Sequence, residues 1–266
     1  MPCLPTGRHK DHKGKSQRAR RNLNKKMDEW LTRTELLLGS EGLDKLKASK
    51  VLVVGLGGVG AYAAEMICRA GVGSMTIVDG DNIHFSNRNR QLIALKSTEG
   101  SSKVEVMGSR LLDINPDLNL NVIGEFIRDN RIGEVLDAGF DYVVDAIDTL
   151  SPKVFLIYHS LQRDYHIVSS MGAGGKYDPL KICIADLSET TDCSLARLIR
   201  KRLHRLCAIE GVTAVFSPET IDKTKVIPAS GDLNKASIVG TISYMPAAFG
   251  IACASVVIRD LAGIPG

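Results

Sequence analysis

The chain has 266 residues, 44% of them hydrophobic, which is enough to bury one large core and suits an α/β domain of ordinary size. Lys and Arg number 34 against 30 Asp and Glu, for a net charge of +4, so distribution matters more than the total. The six cysteines include no C-x-x-C pair, which excludes a zinc site built from two such pairs and argues against a disulfide framework.

Residues 1–30 carry nine Lys or Arg against three acids, leaving 25 basic and 27 acidic residues elsewhere, so the basic excess belongs to the N-terminal tail. Residues 1–28 have almost no apolar side chains and are expected to be disordered on their own. Such a tail offers salt-dependent grip on RNA phosphates, or serves only as a solubilising extension. Its apolar residues, Met1, Leu4 and Leu23, do not make the amphipathic face of a mitochondrial presequence, and no signal peptide is evident. With cysteine usage that suits a reducing compartment, the expected location is cytoplasmic. A short helical segment over about 28–48 follows and leads into a single domain spanning 29–266.

Residues 51–54 (VLVV) read as a buried parallel strand, and residues 60–70 as a helix. Between them Gly55, Gly57, Gly58 and Gly60 form G-x-G-G-x-G, where a strand turns into a helix whose free N–H groups suit a phosphate. The loop alone names a Rossmann-like fold but no cofactor, since NAD, FAD, ATP and S-adenosylmethionine all use it. Residues 75–79 read as the second strand, with Asp79 at its tip placed for ribose hydroxyls. A nicotinamide dehydrogenase stays open at this point.

The stretch from Asn87 through Arg88, Asn89 and Arg90 to Gln91 brings two arginines and three amides just beyond that strand. This density of anion-binding donors suits a triphosphate better than a nicotinamide. Lys103, in an uncharged turn before a helix, adds a point charge, and two cations on one phosphate chain point to neutralisation during attack at phosphorus. Arg88 also reads as a plain surface or interface arginine. Residues 142–148 are expected as a further strand ending in two acids. Asp148, at the carboxyl end where ligands of open sheets bind, is the candidate magnesium ligand, whereas Asp145 reads as either a second ligand or a cap for the next turn.

Residues 151–235 are expected to hold a helix, a strand near 167–170, a glycine-rich loop at 172–175, a basic helix and a polar excursion at 217–234. In the basic helix, Arg197, Arg200, Lys201, Arg202 and Arg205 occur with no acid among them, while Leu195, Leu198, Ile199, Leu203 and Leu206 follow near-helical spacing. One face can pack and the other stay cationic, which fits a polyanion such as RNA better than a plain solvated helix of mixed sign. No aromatic stacking platform is evident. Cys193, in a polar loop before this helix, reads as an activated thiolate or as a plain surface cysteine.

Residues 236–258 carry no charge and are long enough to span a bilayer, but Gly240, Thr241, Ser243, Pro246 and Gly250 interrupt them. The expectation is a buried strand over 240–245 and a core helix over about 246–261, with no membrane partner.

The ordered motifs G-x-G-G-x-G, Asp79-x-Asp81, Asn87-x-x-Arg90-Gln91, Gly100-x-x-Lys103 and Asp145-Ala-x-Asp148 resemble those of adenylyltransferases related to ubiquitin-activating enzymes, across about residues 31–262. Four segments resemble the tRNA threonylcarbamoyladenosine dehydratase branch: 33–36 (RTEL), 172–179 (GAGGKYDP), 195–197 (LAR) with its basic run, and 246–250 (PAAFG). The resemblance implies ATP-dependent cyclisation of a threonylcarbamoyl side chain on tRNA through an acyl adenylate. It further implies that the four glycines cradle phosphates and Asp79 holds the ribose. Asn87, Arg90, Gln91 and Lys103 contact the nucleotide, and Asp148 holds Mg2+. Arg33 sits where these dimeric enzymes place an arginine that reaches the partner subunit's ATP site. Nucleotide binding is expected over about 49–150, substrate recognition over 170–235, and a C-terminal strand and core helix over 237–262. Activation of a ubiquitin-like or sulfur-carrier protein is the alternative activity. The missing cysteine pairs count against it, since relatives of that kind commonly hold a structural zinc.

Overall fold

The computed structural model describes residues 29–206, 210–228 and 237–264. The basic tail and part of the expected excursion lie outside the described residues. The chain forms a three-layer α/β fold in which α1 (Thr32–Ala48) precedes β1 (Lys50–Val54), α2 (Gly60–Arg69) and β2 (Ser74–Val78). Then come α3 (Lys103–Ile114), β3 (Asn119–Ile123), α4 (Asn130–Leu136), β4 (Tyr142–Asp145), α5 (Leu150–Leu161) and β5 (His166–Ser170). The last part holds β6 (Cys183–Asp186), α6 (Ser194–His204), β7 (Val212–Phe216), β8 (Val226–Pro228), β9 (Ser237–Val239) and α7 (Tyr244–Ala262).

The main sheet runs β3-β2-β1-β4-β5-β7-β6, parallel except for β6, which pairs antiparallel with β7 from Cys183↔Phe216 to Asp186↔Thr213. Successive side chains of a strand point to opposite faces, and β1 is covered on both. Val51 and Val53 pack into one apolar layer with Leu46, Ile67, Met107 and Phe249. Leu52 and Val54 pack into the other with Leu136, Ile157, Ile199 and Leu203. Helices α1, α2, α3 and α7 therefore cover one face, and α4, α5 and α6 the other. The strand order reverses between β1 and β4, which opens a crevice at their carboxyl ends where open sheets take ligands.

Two expectations change. Residues 240–243 are not a strand, because Gly240 N–H donates to Lys225 O at 2.9 Å and closes the β8–β9 hairpin there. The final helix therefore starts at Tyr244 and places Pro246 in its first turn, where a missing N–H costs nothing. Strand β4 likewise stops at Asp145 rather than 148, since Asp145 Oδ1 accepts the Ile147 N–H at 3.1 Å and turns the chain. Helix α7 is long and apolar enough to cross a membrane by length and composition, but Met245, Phe249, Cys253 and Val257 along it are buried in the core. Helix α1 is broken at Gly39, which adopts φ +74°.

Candidate active site

The glycine loop sits at the turn from β1 into α2, and close packing explains its composition. Gly55 has φ +92°, and a Cβ there would lie 2.7 Å from Ala146 O; a Cβ on Gly60 would lie 1.7 Å from Gly55 O. On the other side Pro246 and Gly250 press α7 onto the same turn, so a Cβ on Gly58 would meet Pro246 Cβ at 2.8 Å.

Asp79 follows β2 and is turned toward this loop. Its carboxylate accepts the Leu56 N–H at 2.6 Å and the Asp81 N–H at 2.8 Å, so it braces the glycine turn. Burial pushes the Asp79 carboxyl above its ordinary range, against the opposing effect of Lys103 and the two N–H donors. Lys103, the first residue of α3, is almost buried and lies 2.7 Å from Asp81 Oδ2 and 3.9 Å from Asp79 Oδ2.

The Asn/Arg cluster folds over the loop as a pair of tight turns. Asn87 Oδ1 accepts the His84 N–H at 3.0 Å, and Arg90 donates to Ser86 O at 3.0 Å and Asn89 Oδ1 at 2.8 Å. Burial lowers the Arg90 pKa, and the Asp148 carboxylate pulls the other way, so these residues face each other electrostatically. Gln91 is buried beside Gly57, and its Oε1 has no hydrogen-bond partner, an orphaned acceptor in the wall of the loop. Arg88 is a surface residue paired with Glu99 at 3.4 Å. Asp148 is exposed, three residues beyond β4. No group of three or more His, Cys, Asp or Glu side chains gathers as a metal site among the described residues.

Sequence reasoning left Asp145 as a ligand or a cap, and missed its partner. Asp145 and Lys153 form a fully buried ion pair at 2.8 Å, with Ser169 Oγ donating to Asp145 at 2.7 Å and Lys153 donating to Ile147 O at 3.2 Å. The legible signal was a lysine inside an otherwise apolar helix directly after the acid pair. Asp81 stood in a quoted motif and Asn89 in the donor cluster, each without a role of its own.

The basic helix α6 packs on α5 through Ala196, Ile199 and Leu203, whereas Leu198 is 46% exposed, so its apolar face is narrower than the leucine spacing suggested. Arg197, Lys201, Arg202 and Arg205 are exposed. Arg202 donates to Ser151 Oγ at 2.8 Å, in the first turn of α5 and three residues after Asp148, which ties the helix to the rim of the crevice. Arg200 instead turns inward onto Leu187 O, Thr190 O and the Thr190 hydroxyl. Cys193 is buried at the start of this helix, which corrects its reading as a surface cysteine. Arg33 is exposed on the first turn of α1, beside Leu36 and Leu37 at 81% and 84% exposure.

A ThiF family model matches residues 31–266. A tRNA threonylcarbamoyladenosine dehydratase of Bacillus subtilis (strain 168) is 43% identical over 189 residues, 71% of this chain and 74% of that protein. Its counterpart in Haemophilus influenzae is 35% identical, over 83% of this chain and 88% of that one. The crystal structure of E. coli tRNA N6-threonylcarbamoyladenosine dehydratase in complex with ATP superposes with a TM-score of 0.80 at 31% identity, covering 89% of this chain and 95% of that one. Molybdopterin-synthase adenylyltransferase of Haemophilus influenzae is 37% identical, but over only 41% of this chain. With its glycine turn, its Asn/Arg cluster and its buried lysine gathered at one strand reversal, this chain belongs to the ThiF family, in the tRNA threonylcarbamoyladenosine dehydratase group.

Proposed function

We propose that this protein uses ATP to cyclise the threonylcarbamoyl side chain of N6-threonylcarbamoyladenosine in tRNA, with net loss of water. The observation that carries the reading is the likeness over 89% of this chain and 95% of an enzyme of that name solved with ATP. The orphaned Gln91 acceptor and the glycine turn are a site that fits a nucleotide.

In the proposed reaction the threonyl carboxylate attacks the α-phosphorus of ATP, giving an acyl adenylate and pyrophosphate. The carbamoyl group then attacks the activated carbonyl and closes the ring, and the carboxylate oxygen leaves with AMP. Gly55, Gly57, Gly58 and Gly60 supply a backbone cradle for phosphates, and Asp79 the ribose contact. Asn87, Arg90, Gln91 and Lys103 contact the nucleotide, with Arg90 and Lys103 neutralising charge that builds on the phosphates. Asp148 is an exposed carboxylate facing Arg90, a donor suited to Mg2+, which needs only one or two carboxylates when phosphates complete its shell. Bound there, the ion would supply further charge neutralisation.

The reading extends to a homodimer in which Arg33 reaches the partner subunit's ATP site. The exposed Leu36 and Leu37 beside it are the kind of surface a second copy covers. Residues 29–266 are read as one domain with substrate recognition over about 170–235, and Arg197, Lys201, Arg202 and Arg205 as its phosphate contacts. Arg200, included by sequence, lends its charge from an inward position. A cytoplasmic location fits the cysteine usage. The sulfur-carrier reading is less favoured because such relatives match under half of the chain.

The test is pyrophosphate release from ATP with and without threonylcarbamoyl-modified tRNA. Release that requires the modified tRNA supports the reading; release driven instead by a peptide ending in Gly-Gly would replace it with protein activation.

A further inference from the structure

The segment that closes the β8–β9 hairpin runs across the mouth of the nucleotide loop. Gly240 O accepts the Gly175 N–H at 2.8 Å, Thr241 O accepts the Asn89 amide at 3.1 Å, and Pro246 lies on Gly58. Tyr244 therefore lies on the stretch of chain that runs from Thr241, at the Asn/Arg cluster, to Pro246, at the glycine turn. Its hydroxyl donates to Tyr177 O at 2.8 Å, which brings the glycine-rich loop at 172–175 to the same rim.

Both tyrosines are open to solvent. Tyr177 is 51% exposed and Tyr244 46%, with Ile242 at 42% beside them. Lys225 from the hairpin donates to the Tyr177 hydroxyl at 2.7 Å and lies 5.0 Å from the ring centroid. Asp222, 3.7 Å from Lys225, is a solvated neighbour rather than a cover for the rings. Exposed aromatic faces next to a cation are the means by which proteins hold unstacked bases of single-stranded RNA, since every base has a π-face and every nucleotide a phosphate. The cationic α6 at the same crevice favours a polyanionic occupant over a peptide.

We propose that Tyr177, Tyr244 and Lys225 form a cradle for an unstacked base of the RNA substrate at the rim of the ATP site. The cradle rests on the tRNA reading above, and it deepens that reading by naming the side chains that present the nucleotide.

The experiment measures the Kd of the full chain for a fluorescent anticodon stem-loop RNA by anisotropy, and separately the Kd for ATP. The variants are Tyr177→Ala/Tyr244→Ala, Tyr177→Phe and Lys225→Ala. The double variant is expected to weaken RNA binding about tenfold or more, the loss of stacking on aromatic rings, with ATP affinity held within about twofold. Tyr177→Phe keeps the ring and should stay within about threefold of the parent, whereas Lys225→Ala should weaken RNA and reduce its salt dependence. If the parent binds the RNA and the double variant binds it equally well, the cradle is wrong while the tRNA reading stands. A parallel loss of ATP and RNA binding also overturns the cradle, because the rings then support the fold. If the parent protein binds no RNA at all, the tRNA reading falls and takes the cradle with it.

Discussion

Lys103 Nζ is 2.7 Å from Asp81 Oδ2 and 3.9 Å from Asp79 Oδ2, with the lysine side chain only 6% exposed. Two carboxylates thus hold the cation that the proposed reaction aims at phosphates, and a triphosphate has to compete with Asp81 for it. Lys103→Ala is expected to slow pyrophosphate release by about 100-fold or more, the scale of losing one preorganised charge. Asp81→Asn frees the lysine and should tighten ATP binding. Calorimetric titration with ATP and a pyrophosphate-release assay check both; weaker ATP binding by Asp81→Asn would show that Asp81 supports the site rather than restrains it.

Gly60→Ala should be among the most damaging substitutions in the chain. Its Cβ would lie 1.7 Å from Gly55 O, a backbone atom that cannot swing aside, so strand, loop and helix must separate. A loss of about 3 kcal/mol or more is expected, visible as a large fall in Tm. Gly139→Ala, with nothing within 4 Å but φ +75°, should cost only about 1 kcal/mol from backbone strain.

The Asp145–Lys153 pair predicts a non-additive result. Both side chains are fully buried, so Lys153→Met leaves a carboxylate without its cation and should cost about 3–5 kcal/mol. Replacing both, as Asp145→Leu with Lys153→Met, should recover much of that stability, because two apolar groups need no solvation. A double-mutant cycle by urea denaturation measures the coupling; simple additivity of the two losses would contradict the pairing.

Glu65 makes a pH-dependent clasp between α2 and α3. Burial raises its pKa, but the larger combined effect of Arg110 at 2.5 Å and Arg69 at 2.8 Å lowers it below 4.5. The folded pKa lies below the unfolded one, so the ionised carboxylate adds stability above about pH 4.5 and that contribution is lost as pH falls through the folded pKa. Glu65→Gln should therefore lower Tm at neutral pH, and the difference from the parent should shrink in acid. A constant difference down to strongly acidic pH would mean the contact is not electrostatic.

Along the basic run of α6, neighbouring cations should behave differently. Lys201→Ala and Arg205→Ala, on the exposed face, are expected to weaken tRNA binding and lower the salt slope by about 1 each, leaving Tm unchanged. Arg200→Ala removes donors from Leu187 O and Thr190 O and should lower Tm as well. Equal behaviour of all three would remove the distinction between inward and outward positions.

Much of this protein was legible in the chain because its signals are local. A run of buried β-branched residues ending in glycines, then a helix, is dictated by φ/ψ freedom and apolar periodicity within a dozen residues, and β1, the glycine turn and α2 stand where that pattern put them. The nucleotide motifs were readable for the same reason, as residue types at fixed short spacing. What joins residues far apart in sequence was not. Ser169 meets Asp145 only because parallel pairing of β4 with β5 sets the two residues side by side at the carboxyl ends of their strands. Tyr177 and Tyr244 are 67 positions apart and meet only because the first turn of α7, held on Gly58 through Pro246, brings Tyr244 to the backbone of Tyr177. Cys193, in a polar loop, and Arg200, in a basic run, look solvent-facing in the sequence, yet Cys193 is buried in the folded chain and Arg200 turns inward onto Leu187 O and Thr190 O. Burial and pairing of such groups depend on which surfaces the sheet brings into contact, and sequence periodicity carries no term for that.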